Sequence, residues 1–334
     1  MSVALRALTI LFALLASVRM AAAAEIVDAA YVAAALTRGA IVWDVRDAKS
    51  YAEGHLPGAI TVGDVASVLR DPNREDWLPV AQVQAVLGRA GIDITRREVI
   101  VYSRTGDPNA YWVQGGLRHF GARSSKVFHG GLDAWQAAGH PVSREPATLT
   151  PVDLALKPAN DELIATAAML ERLRAGALQL VDARTPREYL GEDVRAIRGG
   201  HIPGAVNLPF ENNWLDPAAA TKLAARQVTT RAGMSLKPVD ELQRLYAGLD
   251  RDKEVVVYCQ SGVRAAVTAS VLRELGFRDV KVYEPSWLGY AGVLNAPAER
   301  EVFVNVGALN GRLAGLQGRL AEMEAELAKL KAAR

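Results

Sequence analysis

Apolar positions in this chain fall into short unbroken runs separated by segments with helical spacing. In the second half the pattern predicts a helix over 162–173, strands over 179–182 and 205–208, and a helix over 239–246. A buried strand over 254–258, a helix over 265–275 and a strand over 280–283 follow. Gly276 stands where glycine commonly ends a helix. Unbroken apolar strands alternating with helices predict parallel sheets covered on both faces, an α/β fold.

The pattern occurs twice. Val42-Trp43-Asp44-Val45-Arg46 matches Leu180-Val181-Asp182-Ala183-Arg184, and Gly54-His55-Leu56-Pro57-Gly58-Ala59 matches Gly200-His201-Ile202-Pro203-Gly204-Ala205. Val99-Ile100-Val101-Tyr102-Ser103 matches Val255-Val256-Val257-Tyr258-Cys259. A weaker fourth match sets Val127-Phe128-His129-Gly130-Gly131-Leu132 against Val282-Tyr283-Glu284-Pro285-Ser286-Trp287. Two domains are expected, over 25–145 and 160–296, joined by a linker over 146–159. Pro146, Pro151 and Pro158 suit an extended linker, free or packed across the interface.

The tail, 297–334, belongs to neither repeat. Leu309, Leu313, Leu316, Leu320, Met323, Leu327 and Leu330 alternate steps of four and three, a heptad seam with charged neighbours. Two readings stay open: a coiled coil joining subunits through 307–334, or one amphipathic helix lying on its own domain. Gly311, Gly315 and Gly318 weaken the first half of an isolated helix.

Residues 1–24 read as an export signal. Arg6 precedes an apolar stretch over 7–18, and Ala22-Ala23-Ala24 offers a cleavage site before Glu25. An uncleaved anchor is the alternative. No later segment is long and apolar enough to span a bilayer. Export places the mature protein in the periplasm of a Gram-negative cell. The net charge of +2 and the scarcity of aromatics give no nucleic-acid surface.

Cys259 is the sole cysteine of 334 residues, so it forms no internal disulfide. An unpaired thiol in an oxidising compartment is a liability unless buried or used. It ends a predicted strand, and Gln260-Ser261-Gly262-Val263-Arg264 leads into a helix. That is where α/β proteins bind anions. Backbone amides of such a loop form a nest for negative charge. Gly262 permits the tight turn, and Arg264 supplies a fixed cation. Both a helix amino terminus and a nearby cation favour thiolate. The alternative is a buried cysteine acting as a hydrophobe.

Repeat and loop together resemble the rhodanese family of sulfurtransferases in its tandem form, over roughly 27–296. The resemblance rests on Asp182-Ala183-Arg184, Gly200-His201-Ile202-Pro203-Gly204-Ala205 and the Cys259–Arg264 loop. It implies a catalytic second domain, an inactive first one, and transfer of sulfur through a Cys259 persulfide. Thiosulfate or a similar small sulfur-containing anion would be the donor, and a thiol or cyanide the acceptor, with no metal or organic cofactor. Gln260, Ser261, Gly262, Val263, Arg264 and Arg184 would bind substrate.

Asp182 and Arg184 either line the site or form an internal ion pair. His201 either moves a proton or makes a structural hydrogen bond. Trp287 either walls the pocket or packs in the core. A loop of six residues from Cys259 to Arg264 is the length associated with sulfur transfer; related phosphatases use a longer one. The charge of Arg264 favours thiosulfate, whereas Ser261-Gly262-Val263 resembles mercaptopyruvate-specific members. Animal two-domain enzymes carry an arginine where this chain has Glu188, beside Arg187. Other readings are a persulfide carrier docked to one partner, and a structural protein with a relic site. In the first repeat Ser103 replaces the cysteine, and Asp107-Pro108 spoils the cradle.

Overall fold

The computed structural model describes residues 24–158, 162–176 and 178–332. The expected export signal, but for Ala24, lies outside the described residues. The first sheet contains β1 (Ile26–Val27), β2 (Ile41–Asp44), β3 (Glu98–Tyr102) and β4 (Ser124–Phe128). Its order is β1-β4-β3-β2, and every pair is parallel. The second half holds β5 (Leu163–Ile164), β6 (Gln179–Asp182), β7 (Arg198–His201) and β8 (Val206–Asn207). It continues with β9 (Val255–Tyr258), β10 (Val280–Tyr283) and β11 (Glu299–Phe303). The second parallel sheet runs β5-β10-β9-β6-β8. The shared order establishes the repeat. The unbroken apolar runs Val99-Ile100-Val101-Tyr102 and Val255-Val256-Val257-Tyr258 are buried throughout, as strands covered on both faces must be.

Three elements depart from the sequence pattern. The helix expected over 162–173 runs Thr166–Ala175 and is closed by Gly176 at φ +76°. Leu163 and Ile164 are instead drawn into an edge strand, in register with Val282 and Tyr283. The expected strand over 205–208 shrinks to β8. An antiparallel pair forms between β7 and β11; neither strand shows an apolar run.

The two domains share one core. Helix Pro108–His119 packs against helix Val263–Glu274, each following the loop at the end of the central strand of its sheet. Val113 and Leu117 of the first helix join Ala266 and Val267 of the second in a single buried cluster. The linker packs across this body: Leu154 and Leu156 are buried, and Val152 donates its amide to Gly88 O at 2.9 Å. The tail helix, Val306–Ala332, has no buried residue. No helix among the described residues is long and apolar enough to cross a membrane.

Candidate active site

Cys259 follows β9 and precedes the helix that starts at Val263. The residue is 1 % exposed, so its surroundings must separate a reactive thiol from a core cysteine. The first distinction is the backbone. The amides of Gln260, Ser261, Val263, Arg264 and Ala265 have no acceptor among the described residues. Buried amides are rarely left unpaired, and five in one turn make a concentrated patch of positive potential.

The loop is held from beneath by Ser286, which is fully buried. Its Oγ accepts from the amides of Cys259 at 3.1 Å and Gly262 at 2.9 Å, and donates to Tyr283 O at 2.8 Å. Ser286 adopts φ +51°, uncommon for serine. Gly262 sits at φ +83°, and a Cβ there would lie 2.9 Å from Glu284 O. Both its torsion and the close approach require glycine. The importance of Ser286 has no signal in the residue pattern, since it depends on a contact across 27 positions.

Arg264 reaches Glu188 with two hydrogen bonds of 2.7 Å. Burial opposes its charge, but the hydrogen bonds and charge of Glu188 outweigh that and raise its pKa. Burial likewise works against ionised Glu188, yet Arg264 and Thr185 bring its pKa down to about 2. Arg195 adds a bond to Glu188 at 3.1 Å and accepts from Gln260 Nε2 through its carbonyl at 2.8 Å. The positive charge expected from Arg264 is therefore largely matched by Glu188. Thr185 and Glu188 form a reciprocal capping box, a pattern visible as Thr-x-x-Glu.

The first domain contributes to the same loop. Arg70 donates to Ser261 O at 2.9 Å and lies over Trp112. Trp77 N donates to Glu284 Oε1 at 3.0 Å. Burial, reinforced by Asp76, pushes the Glu284 carboxyl up to about 8. It is thus protonated at neutral pH and adds little negative charge beside the cradle. Neither Arg70 nor Glu284 is marked by a motif; each acts across the domain interface.

Three sequence-predicted residues lie behind the loop or beside it rather than among its amides. Arg184, expected to bind substrate, is 1 % exposed. Its guanidinium is held by Asp182, with Nη2 at 2.6 Å from Oδ2, and by Gly200 O at 2.7 Å. It forms the internal ion pair that the sequence offered as one of two readings. The first repeat keeps the same pair, Arg46 with Asp44 and Gly54 O, although it lacks the cysteine. His201 is engaged on both nitrogens, by Tyr189 O at 2.8 Å and Glu299 Oε2 at 3.0 Å, and stacks on Tyr189. That is the structural alternative. Trp287 is buried in the core, and its Nε1 donates to Arg198 O at 2.9 Å. Its amide donates to Cys259 O at 3.0 Å, so it supports the loop from behind. Among the described residues no cluster suited to a metal ion occurs.

A duplicated parallel α/β body with one amide-lined cysteine loop defines a class of anion-handling thiol proteins. The rhodanese-like domain model matches residues 28–138 and 165–292. This chain belongs to the rhodanese family. It is 35% identical over 266 residues to the thiosulfate sulfurtransferase of Azotobacter vinelandii, covering 78% of this chain and 90% of that one. The thiosulfate sulfurtransferase of Corynebacterium glutamicum is 34% identical, over 78% of this chain and 84% of its own. The Schizosaccharomyces pombe protein named "Probable 3-mercaptopyruvate sulfurtransferase" is 31% identical, over 72% and 80% respectively. The fold also matches the anaerobic ergothioneine biosynthesis enzyme of Chlorobium limicola, at 20% identity and TM-score 0.69, covering 82% of this chain and 70% of that one.

Proposed function

We propose that the protein is a sulfurtransferase that takes sulfane sulfur from thiosulfate onto Cys259 and passes it to a thiol or cyanide. The observation that carries this reading is the cradle: one thiol, five unpaired amides and Arg264 in a single turn. The Cys259 thiolate attacks the outer sulfur of thiosulfate. The S–S bond breaks, and sulfite leaves with the bonding electrons. The persulfide anion carries the same single charge as the thiolate it replaces, and the loop amides hold that charge. Attack by cyanide on its outer sulfur then forms thiocyanate and restores the thiolate. The cycle is covalent catalysis with ping-pong kinetics. Gln260, Ser261, Gly262, Val263 and Arg264 bind the donor. Trp287 supports the loop directly through its amide on Cys259 O, Asp182 and His201 brace the neighbouring segments, and no metal or organic cofactor takes part.

Mercaptopyruvate is the second reading. Glu188 offsets the charge of Arg264, which favours a donor with one carboxylate over a dianion. Ser261-Gly262-Val263 and the yeast relative point the same way. Intact-mass measurement after incubation with each donor decides between them. A gain of one sulfur atom from thiosulfate, lost on adding cyanide, supports the first reading; loading only from mercaptopyruvate supports the second. No gain from either donor overturns sulfur transfer at Cys259.

We place the mature protein, cut before Glu25, in the periplasm. Glu25 N donates to the Glu274 carboxylate, so a freed α-amino group there would complete an ion pair across the domain interface. We also read the tail, 307–334, as the segment that joins copies of this chain.

A further inference from the structure

The tail helix runs 27 residues without one buried side chain. Its seam positions between 309 and 330 are 51–66% exposed. Val306, Leu313, Leu320 and Leu327 occupy a positions; Leu309, Leu316, Met323 and Leu330 occupy d positions. In that register Gly311, Gly315 and Gly318 fall at f, c and f, away from the seam. The glycines that weaken a lone helix therefore do not interrupt a paired one.

The charges are also out of place for a solvated helix. Of seven charged residues between 306 and 332, five flank the seam: Arg312, Arg319 and Glu326 at g, Glu324 and Lys331 at e. Only Glu322 and Lys329 lie on the outer face. In a parallel pair, each g position meets the following e position of the partner. Arg319 then meets Glu324 of the other copy, and Glu326 meets Lys331. Two-fold symmetry doubles both contacts, and no like charges meet. An antiparallel pair with the same overlap sets g against g. It gains Arg312 against Glu326 but brings the two Arg319 side chains together.

From this charge pattern we infer that the tail pairs with the tail of a second copy as a parallel, in-register coiled coil. The inference rests on the reading that the tail joins copies, and it adds the partner's orientation. The root of the helix is fixed to the catalytic domain. β11 pairs with β7, Glu299 bonds His201 at 3.0 Å and Glu301 bonds Arg198. A parallel coil therefore holds both catalytic domains at the same end of one stalk.

The test uses the full chain carrying Cys259→Ser, which removes the only native thiol. Sedimentation should show a dimer that becomes monomeric when 307–334 are deleted. Leu327→Cys in this background should then form a self-linked dimer in a redox buffer. Mixing Leu309→Cys and Leu327→Cys chains, whose cysteines would face each other in an antiparallel pair, should give no preferred mixed disulfide. Arg319→Glu should weaken association by roughly tenfold, and adding Glu324→Arg should restore it. A dimer in which 327 links only to 309, or whose association Arg319→Glu leaves unchanged, overturns the parallel arrangement while leaving tail pairing intact. A monomeric full-length chain overturns both.

Discussion

The two loops that follow the central strands share a scaffold and differ in what occupies them. Each has a left-handed glycine, Gly106 at φ +79° and Gly262 at φ +83°. In each, an amide from the last repeat segment closes on the loop at 3.0 Å: Leu132 N to Ser103 O, and Trp287 N to Cys259 O. Each sends a buried titratable group across the interface. His129 reaches Met234 O at 2.9 Å, and Glu284 receives Trp77 N. In the first loop, however, internal acids take the donors. Asp107 accepts the Ser103 hydroxyl at 2.5 Å, and Asp133 accepts the Thr105 amide at 2.9 Å. In the second loop Ser286 secures the base and no acid of the loop takes the remaining amides. Fold and chemistry are thus separable: the Asp-x-Arg pair and the histidine of the turn serve both domains, whereas anion binding requires a loop free of its own carboxylates.

The strongest challenge to this contrast exchanges the nucleophiles. Cys259→Ser should lower turnover by on the order of 10³-fold or more and abolish sulfur loading by mass. Ser103→Cys in that background should load no sulfur, since Asp107 and Asp133 still hold the loop donors. Loading at position 103 would show that the cysteine alone, and not the emptied cradle, distinguishes the domains.

The buried pair at the interface comes next in size. The Glu284 carboxyl titrates near 8 when folded, above its unfolded value of about 4.3. The folded chain therefore binds more protons between those values, and stability falls as pH rises through them. Glu284→Gln should be more stable than the parent at pH 7 by about 3 kcal/mol, with the difference closing below about pH 5. Chemical denaturation across pH checks this, and a gap independent of pH refutes it. His129, its pKa lowered to about 4 by burial, acts in the opposite sense, losing stability as pH falls from about 6.5 toward 4.

Features set by local pattern were legible in the sequence. The repeat, both parallel sheets and the position of Cys259 follow from apolar runs and glycine spacing. The two readings of Arg184 stayed open in the sequence because an arginine beside a strand end looks alike whether it faces substrate or its own aspartate. The retained Arg46–Asp44 pair in the cysteine-free repeat, visible in the sequence, points to a structural role for the pair. Ser286 and Arg70 act through contacts far along the chain, so no window of sequence displays them; Glu188 shows its capping box locally as Thr-x-x-Glu, but not its pairing with Arg264, 76 positions away. The short strands β7 and β11 escaped notice because their pairing, not their composition, defines them.

Ser286 tests the base of the cradle. Its counterpart in the first repeat is Gly131, also left-handed at φ +53°, where a Cβ would come within 2.2 Å of Ser103 O. Only the catalytic loop has room for a side chain there, and its hydroxyl accepts two buried amides. Ser286→Ala leaves both without an acceptor and should cost about 2 kcal/mol of stability, read by denaturant midpoint. It should also slow persulfide formation in single-turnover mass measurements. Unchanged loading with reduced stability would confine Ser286 to the fold.

Glu188 tests the charge balance and carries the smallest expected effect. Its carboxylate, titrating at about 2, stays ionised throughout the neutral range and opposes an incoming anion. Glu188→Gln keeps a hydrogen-bonding group beside Arg264 and removes one negative charge. A dianion gains about twice as much as a monoanion from that removal, since Coulomb energy scales with the product of charges. The ratio of kcat/KM for thiosulfate over mercaptopyruvate should therefore rise by about tenfold, equivalent to roughly 1.4 kcal/mol. Added salt should leave most of the gain in place, because Glu188 is buried and buried charges are screened much less than exposed ones. An unchanged ratio would mean that Glu188 serves only to position Arg264, leaving donor choice to the amides and the Gln260–Val263 rim.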